Sequence, residues 1–553
     1  MLNKRQNDLE KEEQEDQFSE ISTNLSWLAS NMWPNEELDV ECLIPKLSDY
    51  LLPLHTLTRQ RARISRLSLH SVIESGLWYC WSELFRIRLK NRIWPTTMEV
   101  DVNRWVEVES RTLESLRGGY GVVISMASYS NVAVNLAHGL RECGVPYFIM
   151  LPLELYDRIG PKFPESAKVL PIESFGSSES RASFDILSQK ALTCFDDLAE
   201  KIQAEGSWLL QTTLDCCRDQ LSYVISNIFP QLMFYQSIAR KAFDIMQPKA
   251  FLVARLKRIT ENVYAREARN RRIPVFLVNH GYLRSDWDAS DLGQVDEICS
   301  AVFAWNEDQA KTWRSIFPEL GNERIRVVGG AQWDTPIKTY GRKSNKEIMT
   351  MRKRFADLVL RIGDNVGDLT GTWLTITIDD HLKPYLSDII TIASEYGIRC
   401  FVKMRPGETI EDYSILNYQN AAPQVVFISD EHQVDLHELL YISDLVAVCI
   451  STVGFDSLAV GTPVLTLALN AEIRSDERTC YLRQLGLPET DNLSELKSVL
   501  NSWSVDFSMR ESWQSQALQA ARQIFANYPN GDAVTRIVQA VEDVHTTGDI
   551  RGA

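Results

Sequence analysis
From Gly119 onward the chain alternates short apolar runs with longer amphipathic ones, and this alternation narrows the fold class more than any other feature. GVVISMA is followed by the polar loop and amphipathic stretch SYSNVAVNLAHGLRECG, and then by a second apolar run, VPYFIML. That order predicts strand, loop, helix, strand, the repeating unit of a parallel sheet. A helical stretch over about 184–246 leads to AFLVA, the helix TENVYAREARNRR and IPVFLVNHG; AVFAWNEDQAKTW and RIRVVGGAQWD carry the pattern to Asp334. A second series opens at Trp373 with WLTITID, the helix SDIITIASEYG, IRCFVKMRP and VVFIS, then the helix DLHELLYIS, DLVAVCIS, the helix FDSLAVG and TPVLTLAL. Two doubly wound α/β halves joined near 335–370 account for both series. The tail 509–544 reads as helix able to pack back across them.

The predicted organisation is an acidic, apolar-poor lead over 1–20, a helical extension over 21–117, a first α/β domain over 118–335 and a second over 336–553, closed by helices. Within the extension, residues 56–94 hold Arg59, Arg61, Arg63, Arg66, Arg86, Arg88, Lys90 and Arg92 interleaved with Trp78, Tyr79, Trp81, Phe85 and Trp94. Such text suits an amphipathic surface resting on anionic lipid, and equally a helical hairpin with a packed aromatic face and solvated arginines. The net charge of −16 argues against a polyanion-binding protein, and no nucleic-acid partner is expected. The lead is neither a signal nor a transit peptide, and no apolar run is as long as a spanning helix. Scattered cysteines without a CxxC pair predict reduced thiols and a cytoplasmic setting, with peripheral contact at the inner face of the membrane through 56–94.

Ligands of doubly wound sheets bind beyond the carboxyl ends of the strands, so the residues there are the candidates. After the first strand come Ser125, Ser128, Ser130 and Asn131, which suit an anion cradle or ordinary helix capping. IPVFLV ends in Asn279-His280-Gly281, where the imidazole can serve as general base, donate to a phosphate, or satisfy backbone groups structurally. Asp286 and Asp288 follow as alternative bases or plain loop carboxylates. The strand IRCFVKM ends in Lys403 and Arg405, which share a face; the arginine fork matches a diphosphate, or pairs with Glu408 at the surface. Finally Ser451 and Thr452 open a helix containing Gly454 and Asp456, either a phosphate-binding turn with a ribose-facing carboxylate or a capped helix start.

These strand ends together resemble GT-B-type glycosyltransferases of the bacterial surface-polysaccharide branch. That branch includes CDP-glycerol glycerophosphotransferases and the capsule transferases for sialic acid and Kdo. The resemblance covers about 118–470 and rests on IPVFLVNHGYL, RVVGGAQWD, FVKMRPGE and DLVAVCISTVGFDSLAVGTPVLTL. It implies two Rossmann-like domains preceded by the helical extension. It also implies a catalytic or acceptor-side role for His280, with Ser128, Ser130, Asn279 and Gly281 on the acceptor side. Ser451 and Thr452 would contact the donor phosphates, with Lys403, Arg405, Glu408, Gly454 and Asp456 around them. One departure stands out: the family's His-Pro histidine is Arg405 here, which can clamp phosphate but cannot act as an acid or base at neutral pH.

The expected function is transfer of a sugar or polyol phosphate from a nucleotide-activated donor (CMP/CDP or UDP type) to a hydroxyl of a surface glycan or glycolipid. No cofactor and no metal are expected, and the resemblance, without a Glu-x7-Glu pair of the retaining GT-B type, implies inversion. Two other readings stay open: a nucleotide-sugar 2-epimerase-like isomerase, although no acidic-Arg-Pro element follows the Pro463 strand, and a non-catalytic GT-B scaffold subunit.

Overall fold
The computed structural model describes residues 113–125, 129–176, 229–256, 259–285, 294–341, 344–361, 366–404, 425–429 and 434–547, with a few single positions between them. The acidic lead, the basic aromatic stretch 56–94 and nearly all of the N-terminal extension lie outside the described residues, as does most of 177–228.

The first half runs β1 (Tyr120–Val123), α1 (Ser130–Glu142), β2 (Tyr147–Leu151), α2 (Leu153–Ile159), β3 (Lys168–Pro171), α3 (Phe229–Met246) and β4 (Ala250–Val253). It continues with α4 (Ile259–Asn270), β5 (Val275–Val278), α5 (Val295–Ile298), β6 (Ala301–Ala304), α6 (Glu307–Ile316) and β7 (Ile325–Val327). All seven strands are parallel, in the order β3-β2-β1-β4-β5-β6-β7. Every residue of AFLV and VFLV is buried, because helices cover both faces of the sheet and leave no solvent side.

Two helices, α7 (Asp334–Tyr340) and α8 (Asn345–Arg361), lead into the second half. There follow β8 (Trp373–Thr377), α9 (Leu386–Glu395), β9 (Arg399–Lys403), β10 (Val425–Ile428), α10 (Leu436–Ile442), β11 (Leu445–Val448) and α11 (Val453–Ala459). Then come β12 (Val464–Leu467), α12 (Ala471–Ser475), α13 (Glu477–Gln484), β13 (Glu489–Thr490), α14 (Leu493–Val505), α15 (Phe507–Ile524) and α16 (Ala533–Thr547). The six strands order as β10-β9-β8-β11-β12-β13, again all parallel. Arg352 on α8 ties this sheet down: its guanidinium lies 4.6 Å from the Trp373 ring, 2.8 Å from Asp444 and 2.9 Å from the Ile442 carbonyl. The α/β alternation read from the sequence is therefore present as two Rossmann-like sheets.

The final helix does return across the molecule. Val534, Ile537, Ala540, Val541 and Val544 of α16 join the core on one face of the first sheet, not the second. Its approach to α1 is close enough that a Cβ at Gly139 would lie 2.5 Å from Val534, so only glycine fits there. The amino end of α16 is held from a distance in sequence. Asp334 accepts hydrogen bonds from Ala533 N (3.0 Å), Val534 N (2.8 Å) and Asn527 Nδ2 (2.6 Å), satisfying donors that a helix start leaves open.

Candidate active site in the cleft between the halves
Each sheet has one point where strand order reverses: between β1 and β4 in the first half, between β8 and β11 in the second. Ligands of open α/β sheets gather outside the carboxyl ends at such points. In the first half Ser125, just past β1, donates its amide (2.7 Å) and its hydroxyl (2.6 Å) to Glu261, a fully buried carboxylate in the first turn of α4. The pair fastens the β1 and β4 loops together.

One strand farther along stands His280. Its Nδ1 lies 2.8 Å from the Ala254 carbonyl oxygen, which can only accept, so Nδ1 carries the proton and Nε2 keeps its lone pair. The ring meets Tyr129 edge-on at 4.3 Å between centroids. Burial lowers its pKa to about 4, with the charge of Arg255 acting in the same direction and the Ala254 bond opposing both. A neutral imidazole with a fixed tautomer is what a proton acceptor requires. His280, Asn279, Arg255, Tyr282 and Trp287 line one pocket.

The His280 loop is also joined to the other half. The Tyr282 ring stacks on Phe455 of α11 at 5.7 Å and 9°, and contacts Tyr481 of α13 at 5.5 Å. Ser285 donates its amide to Glu477 at 2.8 Å, and its hydroxyl bonds the same carboxylate.

In the second half Asp379, buried just past β8, organises the reversal point. Its Oδ1 accepts from His381 N and Leu382 N, each at 3.0 Å, while Oδ2 accepts from Ile450 N at 3.0 Å. The Ser451–Thr452 turn after β11 is thereby fixed to the end of β8. Ser451 Oγ accepts from Val453 N at 3.2 Å, and Thr452 is exposed. Lys403, beside Thr377 in the β9–β8 ladder, donates to the Met404 carbonyl at 2.9 Å. Gly454 is buried, and a Cβ there would come within 3.2 Å of Leu482.

Asp456 faces the junction between the halves. Its Oδ1 accepts from Trp333 Nε1 at 2.7 Å and lies 3.4 Å from Nε2 of His437. Burial disfavours the charged form of His437, yet the nearby Asp456 carboxylate, helped by Asp435, keeps its pKa above the ordinary value. Trp333 contacts Trp305 and Phe525, both with centroids 4.4 Å away.

The described residues among those expected from the sequence divide between the two halves. Ser130, Asn279, His280 and Gly281 lie on the first half; Lys403, Ser451, Thr452, Gly454 and Asp456 lie on the second. Ser128, Asp286, Asp288, Arg405 and Glu408 lie outside the described residues. Arg255, Glu261, Tyr282 and Asp379 were not singled out in the sequence. A signal for Asp379 was present, since WLTITID ends a strand in a carboxylate as IPVFLV ends one in a histidine. Among the described residues no group of three or more His, Cys, Asp or Glu side chains is arranged to hold a metal ion. Among them, too, no helix is long and apolar enough to cross a membrane.

A second buried acid sits at the same sheet edge. Glu173, past β3, accepts from Leu153 N at 2.8 Å, and burial pushes its pKa from 4.5 to about 7 despite that bond. The fold thus favours the protonated form. The stability this contributes is complete below pH 4.5 and is lost as pH rises through about 7, a span of about 3 kcal/mol. Glu173→Gln should flatten the fall of Tm between pH 5 and pH 8. Parallel wild-type and variant profiles would show the acid to be solvated.

Two parallel doubly wound sheets, with the last helix crossing back to the first, define the GT-B fold. No protein-family model and no curated protein matches the sequence. Among solved structures, the UDP-GlcNAc 2-epimerase from Neisseria meningitidis bound to UDP-GlcNAc superposes with a TM-score of 0.50 at 14% identity, covering 77% of this chain and 99% of that one. The UDP-GlcNAc 2-epimerase from Methanocaldococcus jannaschii gives 0.47 at 14% identity over 76% and 99%. The wall teichoic acid polymerase TagF, in complex with CDPG, gives 0.46 at 11% identity over 86% and 99%.

Proposed function
We propose that the protein is a GT-B enzyme that transfers a sugar or polyol phosphate from a nucleotide-activated donor to a hydroxyl of a surface glycan or glycolipid, with inversion and without a metal. The observation that carries this reading is His280: a neutral imidazole of fixed tautomer at a strand end, in a loop that contacts the second half through Tyr282 and Phe455. In the proposed reaction the donor diphosphate rests against Ser451, Thr452, Lys403 and Arg405. The acceptor hydroxyl approaches Nε2, which takes its proton as the oxygen bonds to the transferred carbon or phosphorus, the bond from that atom to the nucleotide's phosphate oxygen breaks, and the nucleotide leaves. Open space beside Gly281, where a Cβ would meet nothing within 4 Å, suits an acceptor there. A nucleotide-linked donor is also in keeping with the UDP-GlcNAc bound by the Neisseria structure of the same fold.

The test is a thermal-shift screen with UDP-, GDP-, CMP- and CDP-linked compounds, since a ligand that binds only the native state raises its stability. Release of free nucleotide in the presence of acceptor should follow for the stabilising donor. Conversion of a nucleotide sugar with no acceptor present would replace this reading with an isomerase. Tight nucleotide binding without turnover would make the protein a scaffold subunit. Peripheral contact through 56–94 would appear as co-sedimentation with anionic vesicles and its absence with neutral ones.

A further inference from the structure
We infer that Tyr282 is a positioning residue for His280: through this ring, the second half of the molecule sets how the imidazole sits in the first. The kinetic side of the inference rests on the transferase reading, whereas the coupling itself is read on the imidazole and does not.

Three observations carry it. First, the segment from Asn279 to Ser285 bridges the halves. Asn279 is fastened to the first, its amide donating to the Phe303 carbonyl and its own carbonyl accepting from Trp305 Nε1 at 2.8 Å. Ser285 at the other end donates its amide to Glu477 of α13 at 2.8 Å. Second, the side chains between these ends part company. His280 turns into the first half, onto the Ala254 carbonyl and the edge of Tyr129. Tyr282 turns to the second, stacked on Phe455 and against Tyr481. Gly281 between them meets nothing that a side chain could brace against, so the two flanking rings hold the bend. Third, the next anchor also leads to the second half. Leu283 N donates to Gln309 Oε1 at 2.7 Å, Gln309 N donates to Asn306 Oδ1 at 2.9 Å, and Asn306 Nδ2 donates to the Ile524 carbonyl at 2.8 Å.

The ring beneath Tyr282 also belongs to the donor side. The Phe455 amide donates to the Thr452 carbonyl at 2.9 Å, so the stack stands within one turn of Ser451 and Thr452. A shift of that turn reaches His280 through two side chains. Burial, joined by the charges of Glu477, Asp308 and Asp476, raises the Tyr282 hydroxyl above its ordinary pKa, so the stacked ring stays neutral. Arg255 is the charge that acts on His280 itself, and burial is the larger cause of its weak basicity. A loop freed from Phe455 lets water reach the imidazole and removes that larger cause.

The imidazole is followed by NMR in histidine-labelled full-length protein, its resonance identified by loss in His280→Ala. Wild type and Tyr282→Phe, which keeps the stack, should titrate near pH 4; Tyr282→Ala should titrate upward of that, toward 6.5. In turnover, Tyr282→Ala should lower kcat by about tenfold or more through misplacement of the base, move the acid limb of kcat/KM upward with the NMR value, and leave CDP and UDP affinities unchanged. Tyr282→Leu carries the comparison should Tyr282→Ala not fold. A wild-type titration retained in Tyr282→Ala, equal shifts in Tyr282→Phe and Tyr282→Ala, or a loss of nucleotide affinity parallel to the loss of kcat would each overturn the coupling. Donor turnover with a pH profile unmoved by Tyr282→Ala would overturn it and leave the transferase standing. An NMR shift confined to Tyr282→Ala in a protein that turns over no donor would keep the coupling and remove the transferase.

Discussion
Replacing His280 with alanine is expected to slow transfer by about 10²–10⁴-fold, the usual range for loss of a positioned general base, with nucleotide affinity nearly unchanged. The asymmetry follows from position: His280 belongs to the first sheet, whereas Ser451 and Thr452, proposed to meet the donor, belong to the second. The pH dependence offers a second readout. Because the folded protein holds this imidazole at about pH 4, the acid limb of kcat/KM should lie near that value and not near 6.5, and it should vanish in the variant. His280 also contributes stability that is present above pH 6.5 and lost as pH falls through about 4, since the fold favours the neutral ring. Full turnover by His280→Ala would remove the residue from the mechanism.

Asp334→Ala should cost about 3–5 kcal/mol of stability. The substitution deprives Ala533 N, Val534 N and Asn527 Nδ2 of their shared acceptor in a buried site, and each orphaned donor carries its own desolvation cost. It also frees the start of the helix that covers one face of the first sheet. Thermal unfolding should fall by several degrees, and hydrogen exchange should accelerate across 533–547 before the rest. An unchanged Tm would mean that water replaces the carboxylate without loss.

Much of the fold was legible because its signals are local. Runs such as AFLV and LVAV are short, fully buried and bounded by polar loops, so period and length suffice to assign them. The strand-end rule then pointed to His280 and to Ser451 without any knowledge of strand order. What was not legible depends on contacts between residues distant in sequence. Nothing in the text of α11 says that Asp456 would give an oxygen to Trp333, which is 123 residues earlier, instead of only facing a ligand. Arg255 gave no signal because it follows a strand in the basic run ARLKR, where a surface cation is the ordinary reading. Only the pairing of β4 with β5 brings it beside the imidazole. The stacking of Tyr282 on Phe455 likewise requires the two halves to be in place.

The crossing of α16 back to the first sheet makes the second half an insertion within the first. Its cores are built mostly from residues between Ile337 and Phe525, one continuous length of chain, with Trp305, Trp333 and Tyr282 of the first half packed against one of them. The first half is discontinuous: one face of its sheet, packed in part by α1 and α2, is completed only by residues 533–547. During synthesis from the amino end, the later domain can therefore finish folding before the earlier one. The His280 wall of the cleft acquires its last layer only after the opposite wall is complete. A chain truncated before Asp532 should keep a protease-resistant second half and lose protection of the first; equal resistance of both halves would contradict this order.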